Sequence, residues 1–151
     1  MFFNADGSIQ KVTPTLRGVG LVQASSEIQL DRYSAKSGES IAVSFLDDAN
    51  PHAGWKTTFS AGNSWVRFNE VDFALGRQKS IAVRAKSSGK GALQIRLDKP
   101  DGPLLGRVKV GKESDWKIAR VAAKNIPAGV HDLFVMQAGA DSVEVDWISF
   151  R

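Results

Sequence analysis

Sixteen Asp and Glu residues, two histidines and no cysteine bound the chemistry open to this chain. Paired carboxylates hydrolyse glycosidic bonds when they stand roughly 5–10 Å apart across the scissile bond. Asp98, Asp101, Asp141, Glu144 and Asp146 crowd the C-terminal half. Glu144 and Asp146 alternate onto one strand face, but spacing along a chain sets no distance across a cleft. His52 and His131 are far apart, and neither stands beside a Ser in a nucleophile motif, so no His-based catalytic or two-His metal site emerges. Without cysteine there are no disulfides and no thiolate metal sites. Asn4-Ala5-Asp6-Gly7 mimics the start of a calcium loop but lacks its acidic closing residue, and it reads as a plain turn. No catalytic set is assigned. Four tryptophans remain. Trp55 follows Pro51-His52-Ala53-Gly54 in a loop, and Trp116 precedes a strand in a polar Ser-Asp context. Trp65 falls on the polar side of its strand, which calls for a reason. Trp147 alternates with Val143 and Val145 and is expected in the core.

The elements that must position these residues are strands. At 151 residues the chain suits one domain, long enough to bury roughly 70% of its unfolded surface without a staple. Strand signals recur about every 8–12 residues with turn chemistry between them, the spacing of a sandwich. Strands are expected at 27–30, 40–45, 65–68, 79–85, 92–98, 104–110, 117–122, 132–137 and 143–150. Turns such as Ser87-Ser88-Gly89-Lys90-Gly91 and Lys99-Pro100-Asp101-Gly102-Pro103 separate them. No window carries an i, i+3, i+4, i+7 apolar stripe, so almost no helix is expected. Residues 47–53 are polar and contain Pro51, and they read as a long loop. Alternation sends Ile81, Val83 and Ala85 inward and Arg84 outward. It sends Val66 and Phe68 inward, leaving Trp65 and Arg67 outside, as it does Gln94.

The net charge of +4 is spread singly, with no basic cluster interleaved with aromatics, so no nucleic-acid partner is expected. No apolar run approaches the roughly 18 residues of a membrane span, so no membrane partner is expected. The N-terminus has no basic head or apolar core, so any export signal is expected upstream of it. Residues 1–24 are irregular apart from a strand-like run at 8–12, and they read as a tail or linker. Residues 25–151 form the domain.

Taken in order, several blocks resemble a family 6 carbohydrate-binding module over about residues 27–151. They are Ile28-Gln29-Leu30-Asp31-Arg32-Tyr33, Gly62-Asn63-Ser64-Trp65 and Val71-Asp72-Phe73-Ala74-Leu75-Gly76. They continue with the hairpin from Leu93 to Gly106, Ser114-Asp115-Trp116, Gly129-Val130-His131-Asp132-Leu133 and Glu144-Val145-Asp146-Trp147-Ile148. The run from Phe3 to Gly20 is similar to the closing segment of family 43 glycoside hydrolases, which implies a linked catalytic domain upstream.

The resemblance implies an all-β, two-sheet antiparallel jelly-roll sandwich that binds carbohydrate and has no active site. In such modules two aromatic rings clamp a sugar in a loop cleft, and a polar residue near the C-terminus bonds its hydroxyls. Sugar C–H faces pack on aromatic planes, and their hydroxyls need paired donors and acceptors. Trp116 matches one ring, and Phe59 or Trp55 the other. Glu144 stands where the family has Asn, and a carboxylate, when ionised, only accepts. A second site is implied on the concave face of one sheet, with Trp65, Arg67 and Gln94. A structural calcium is implied at Gln29, Asp31 and Asp146, whose oxygen-only donors suit that ion. The expected function is to hold an arabinofuranosidase- or xylosidase-type hydrolase on xylan-like or related β-glycans. The implied partners are a polysaccharide or oligosaccharide and that covalently linked domain. The module itself is expected to be a monomer, and its parent secreted, periplasmic or on the cell surface. The alternatives are a small sandwich-fold glycan hydrolase or lyase, and a module that has lost sugar binding and packs on the catalytic domain.

Overall fold

The computed structural model describes residues 5–8, 20–60, 62–112 and 114–151. Two six-stranded sheets face each other. The first contains β1 (Val22–Gln23), β3 (Ala35–Lys36), β6 (Trp65–Asp72), β8 (Gly91–Leu97), β9 (Leu104–Val110) and β11 (Val130–Gln137), in the order β1-β6-β11-β8-β9 with β3 also on β6. The second contains β2 (Ile28–Gln29), β4 (Ile41–Phe45), β5 (Trp55–Phe59), β7 (Ser80–Ser87), β10 (Lys117–Ala122) and β12 (Val143–Phe150), in the order β10-β7-β12-β5-β4 with β2 on β12. The pairs between named strands are antiparallel except β1 with β6. The sole helical element among the described residues is one 3-10 turn, Pro51–Ala53, within the expected loop.

Inward side chains from both sheets form one core, with Phe59, Phe68, Phe73 and Phe150 its largest fully buried members. Period-two alternation produces it: Val66 and Phe68 from β6, Leu93, Ile95 and Leu97 from β8, and Ile81, Val83 and Ala85 from β7. The expected strands are present to within a few residues. β5 was not expected, because Trp-Lys-Thr-Thr-Phe buries a hydroxyl, Thr57, at an inward position and so hides its alternation.

Two expectations are corrected here. Trp147 is half-buried and outside the core cluster. A bulge between Val145 and Trp147 in the pairing with β7 shifts the register, and Ile148 and Phe150 take the inward positions instead. The domain also starts earlier than residue 25: β1 pairs with Val71 and Asp72 of β6, and Ala24 is fully buried. The strand-like run at 8–12 lies, apart from Ser8, outside the described residues.

Candidate functional site

The outward face of the second sheet brings together two of the four expected cleft residues, Trp116 and Glu144. β7 and β12 place Lys86 beside Glu144, and β5 places Thr58 beside Glu144 with Lys56 two positions away. Trp116 immediately precedes β10, whose Lys117 pairs with Ala85, so the indole falls next to Lys86. The Arg84 guanidinium carbon lies 5.4 Å from the Trp116 ring centroid, and Lys86 Nζ lies 5.2 Å from it. Both are within cation–π range. Glu144 Oε2 is 3.0 Å from Lys56 Nζ and 3.2 Å from Lys86 Nζ. Burial pushes the Glu144 carboxyl up, but its bonds to Lys56 and Lys86 and their charges outweigh this and hold it below the usual range.

A cavity of about 260 Å³ opens here, lined by Lys86, Ser87, Ser88, Ser114, Ser142 and Glu144. Its rim is tied down. Ser87 Oγ donates to the Ser142 carbonyl at 2.8 Å, and the Lys90 amide donates to Asp141 Oδ2 at 2.6 Å. A Cβ on Gly89 would lie 2.4 Å from that same carboxylate oxygen, so glycine is what lets the two loops close together. The site thus offers one aromatic ring, several hydroxyls, an ammonium and a carboxylate, a set suited to a polyhydroxylated ligand.

Glu144 is held ionised between two lysines, and Asp146, 5% exposed, is bonded to Arg84 through its Oδ2. Both members of the pair that alternation placed on one face are thus engaged by cations.

The opposing ring does not stand where the sequence placed it. Phe59 is fully buried, packed in the core opposite Val143 and Ile41, so it contacts no ligand. Strand alternation is the reason: Thr58 faces outward and Phe59 must face inward. Trp55 is 44% exposed, with its ring centroid 4.4 Å from that of Phe45 at the end of the β4–β5 pair. Three strand spacings, roughly 14 Å, separate β5 from β10. Trp55 also alternates away from outward Lys56 and Thr58, so the two indoles do not face each other as a clamp.

On the first sheet, Trp65, Arg67 and Gln94 lie together on the outward face, half-buried. The structure adds Phe134 and Arg96. The Phe134 ring lies edge-on to Trp65 with centroids 5.2 Å apart. Phe134 is 3% exposed yet outside the core cluster, because it packs on the outer side of β11. The continuous apolar run Leu133-Phe134-Val135-Met136 conceals which members face out.

The implied metal donors sit where β2 meets β12, with Gln29 opposite Trp147. Burial raises the Asp146 carboxyl; Arg84 opposes that rise, and the charges of Glu27 and Asp31 add to it. Donor type and negative field therefore suit a cation, although Arg84 already serves Asp146 as one. No group of three His, Asp or Glu side chains converges on a single point among the described residues, so backbone carbonyls would have to complete any metal shell.

The architecture agrees with that of the relatives. The sequence pattern of carbohydrate binding module (family 6) matches residues 32–151, and the chain belongs to that family, one of non-catalytic binding modules. It is 28% identical over 143 residues to an arabinoxylan arabinofuranohydrolase of Bacillus subtilis (strain 168), covering 90% of this chain and 27% of the relative. It is 28% identical over 139 residues to endo-1,4-beta-xylanase A of Thermoclostridium stercorarium, covering 91% of this chain and 20% of the relative. The chain thus spans about a quarter or less of the curated relatives it matches. A β-1,3-glucan-binding family 6 module from Bacillus halodurans superposes with a TM-score of 0.76 at 28% identity, over 87% of this chain and 99% of that one. A family 6 module of Clostridium stercorarium in complex with cellobiose superposes with a TM-score of 0.76 at 25% identity, over 87% and 96%.

Proposed function

We propose that this module holds an appended glycoside hydrolase of arabinofuranosidase or xylosidase type on xylan-like or related β-glycans. The observation that carries the proposal is the half-buried Trp116 indole beside a hydroxyl-lined cavity of about 260 Å³. A sugar ring would stack on Trp116, with its hydroxyls donating to Glu144 and accepting from Lys86 and the serines. The relatives support the setting, since they are an arabinofuranohydrolase and a xylanase several times longer than this chain. With one ring rather than a clamp, affinity should be modest, on the order of 10 μM to 1 mM, or about −4 to −7 kcal/mol. Tethering then works through effective concentration, because a weak module raises the local substrate level for its linked active site. Such polymers are met outside the cytoplasm, so the parent protein belongs to a secreted, periplasmic or surface location, and the module acts as a monomer. Calorimetric titration of the chain with xylo- and arabino-oligosaccharides, with Trp116→Ala as control, tests the site. Reducing-sugar release by the isolated chain would overturn the non-catalytic role.

The proposal includes a calcium ion, which would be held by Gln29, Asp31 and Asp146 and would offset their negative field while pinning β2 to β12. An ion bound only by the folded state raises the melting temperature. An unchanged melting temperature on moving from millimolar calcium to EDTA would show that Arg84 alone serves Asp146.

A further inference from the structure

Register sets Trp116, Lys86, Glu144 and Thr58 in one row on the outward face of the second sheet. Trp116 heads the row, one position before the Lys117–Ala85 pair, and Lys86, Glu144 and Thr58 follow on β7, β12 and β5. β7 therefore lies between the indole and the carboxylate. Arg84 and Lys86 both come from β7, and both stand over the indole, at 5.4 and 5.2 Å from its centroid. The ring face they cover is the one turned toward Glu144.

Lys86 Nζ is also 3.2 Å from Glu144 Oε2. One ammonium thus occupies the space between ring and carboxylate. A sugar stacked on this face of Trp116, with a hydroxyl donated to Glu144, needs the same space, because its two anchoring contacts are the two that Lys86 already makes. The opposite ring face looks over the edge of β10, away from Glu144, and offers stacking without the carboxylate. The other cations do not stand in the way. Lys56 reaches Glu144 from β5, on the side of β12 remote from Trp116, at 3.0 Å, and Arg84 is turned to Asp146. The Lys86 side chain is 26% exposed, and its flexible stem lets the ammonium swing into water. Lys56 stays on Glu144 when Lys86 leaves, so the carboxylate remains an ionised acceptor.

We propose that Lys86 is a built-in occupant of the Trp116 cleft, holding the place of a ligand hydroxyl, and that a neutral sugar must displace it in order to stack. The inference rests on the reading of Trp116 and Glu144 as the sugar site. Lys86 thereby determines affinity and selectivity. A ligand that covers the indole and satisfies Glu144 together replaces both contacts, whereas a ligand offering one of them leaves Lys86 in place. The exchange gives up an ion pair and a cation–π contact, each weak at a partly exposed site. That loss outweighs the hydrogen bond that the displaced ammonium can donate to the sugar.

The test is calorimetric titration of the whole chain with xylohexaose, for wild type, Lys86→Ala, Lys86→Arg and Trp116→Ala, with thermal melts to show that each is folded. Each is titrated in about 50 and about 500 mM sodium chloride, between which screening changes strongly. Lys86→Ala should bind about three- to ten-fold more tightly than wild type, the scale of the two contacts removed. Lys86→Arg keeps the charge and should bind no more tightly than wild type. Wild-type affinity should rise with salt as Lys86 is loosened from Glu144, and Lys86→Ala should lack that rise. The wild-type salt response tests the displacement without any substitution. Unchanged or weaker binding by folded Lys86→Ala would overturn the proposal, as would wild-type affinity that is flat or falls with salt. Either result leaves the cleft reading standing if Trp116→Ala still abolishes wild-type binding. Binding that survives Trp116→Ala, or no binding by either wild type or Lys86→Ala, would overturn both.

Discussion

Replacing Trp116 by Ala separates its binding role from its structural one. The indole is half-buried, outside the core cluster, and touches Arg84 and Lys86 at cation–π distances of 5.4 and 5.2 Å. At solvent-accessible sites each such contact is worth roughly 0.5–1 kcal/mol. The fold should therefore lose only about 1–2 kcal/mol, a fall in melting temperature of roughly 2–8 °C for a domain of this size. The ligand loses its only aromatic platform in the cleft, and truncating such an anchor costs about 2–3 kcal/mol. That corresponds to a 30- to 150-fold weaker Kd, at about 1.4 kcal/mol per decade. From a starting Kd of 10 μM to 1 mM, the Kd for xylohexaose should rise to somewhere between about 0.3 and about 150 mM. Thermal melts of the same samples show whether the variant is folded. A folded Trp116→Ala protein with wild-type affinity would refute the cleft assignment. Trp55→Ala is the matched control: its ring stacks on Phe45 away from the cleft, so the Kd should change by less than about two-fold, the range of surface changes away from a site.

Three further perturbations probe the frame around the site. Arg84→Met strands Asp146, whose side chain is 8% exposed; since Arg84 is 32% exposed and water partly replaces it, the loss should be about 1–3 kcal/mol in urea denaturation. That deficit should shrink as acid protonates Asp146, and adding Asp146→Asn should restore much of it; a deficit independent of pH would refute the unpaired-charge account. Glu144 has a depressed folded pKa, so its stabilising contribution is present above the unfolded value and is lost as pH falls below about 4. The stability gap between wild type and Glu144→Gln should therefore close as pH falls below the unfolded glutamate value of about 4.3, and a constant gap counts against the lysine clamp. Gly102→Ala would put a Cβ 1.9 Å from the Leu97 carbonyl oxygen, so the β8–β9 turn must open, at a cost of at least about 2 kcal/mol in denaturant titration.

The sandwich was legible because its signal is redundant. Each of β7, β8 and β9 repeats the same period-two pattern, and Lys99-Pro100-Asp101-Gly102 admits little besides a turn. The site was legible only in part, because it depends on register, and register changes wherever one residue is inserted or one polar group is buried. The bulge after Val145 turned Trp147 outward against the alternation of its own strand, and inward Thr57 concealed the strand that fixes Phe59 in the core. Glu144 could be located from its neighbours in sequence, but its two lysines come from β5 and β7, some 88 and 58 positions earlier in the chain. Those lysines decide its chemistry. They hold the carboxyl below the usual range and so favour its ionised, hydrogen-bond-accepting form where it lines the cavity beside Trp116.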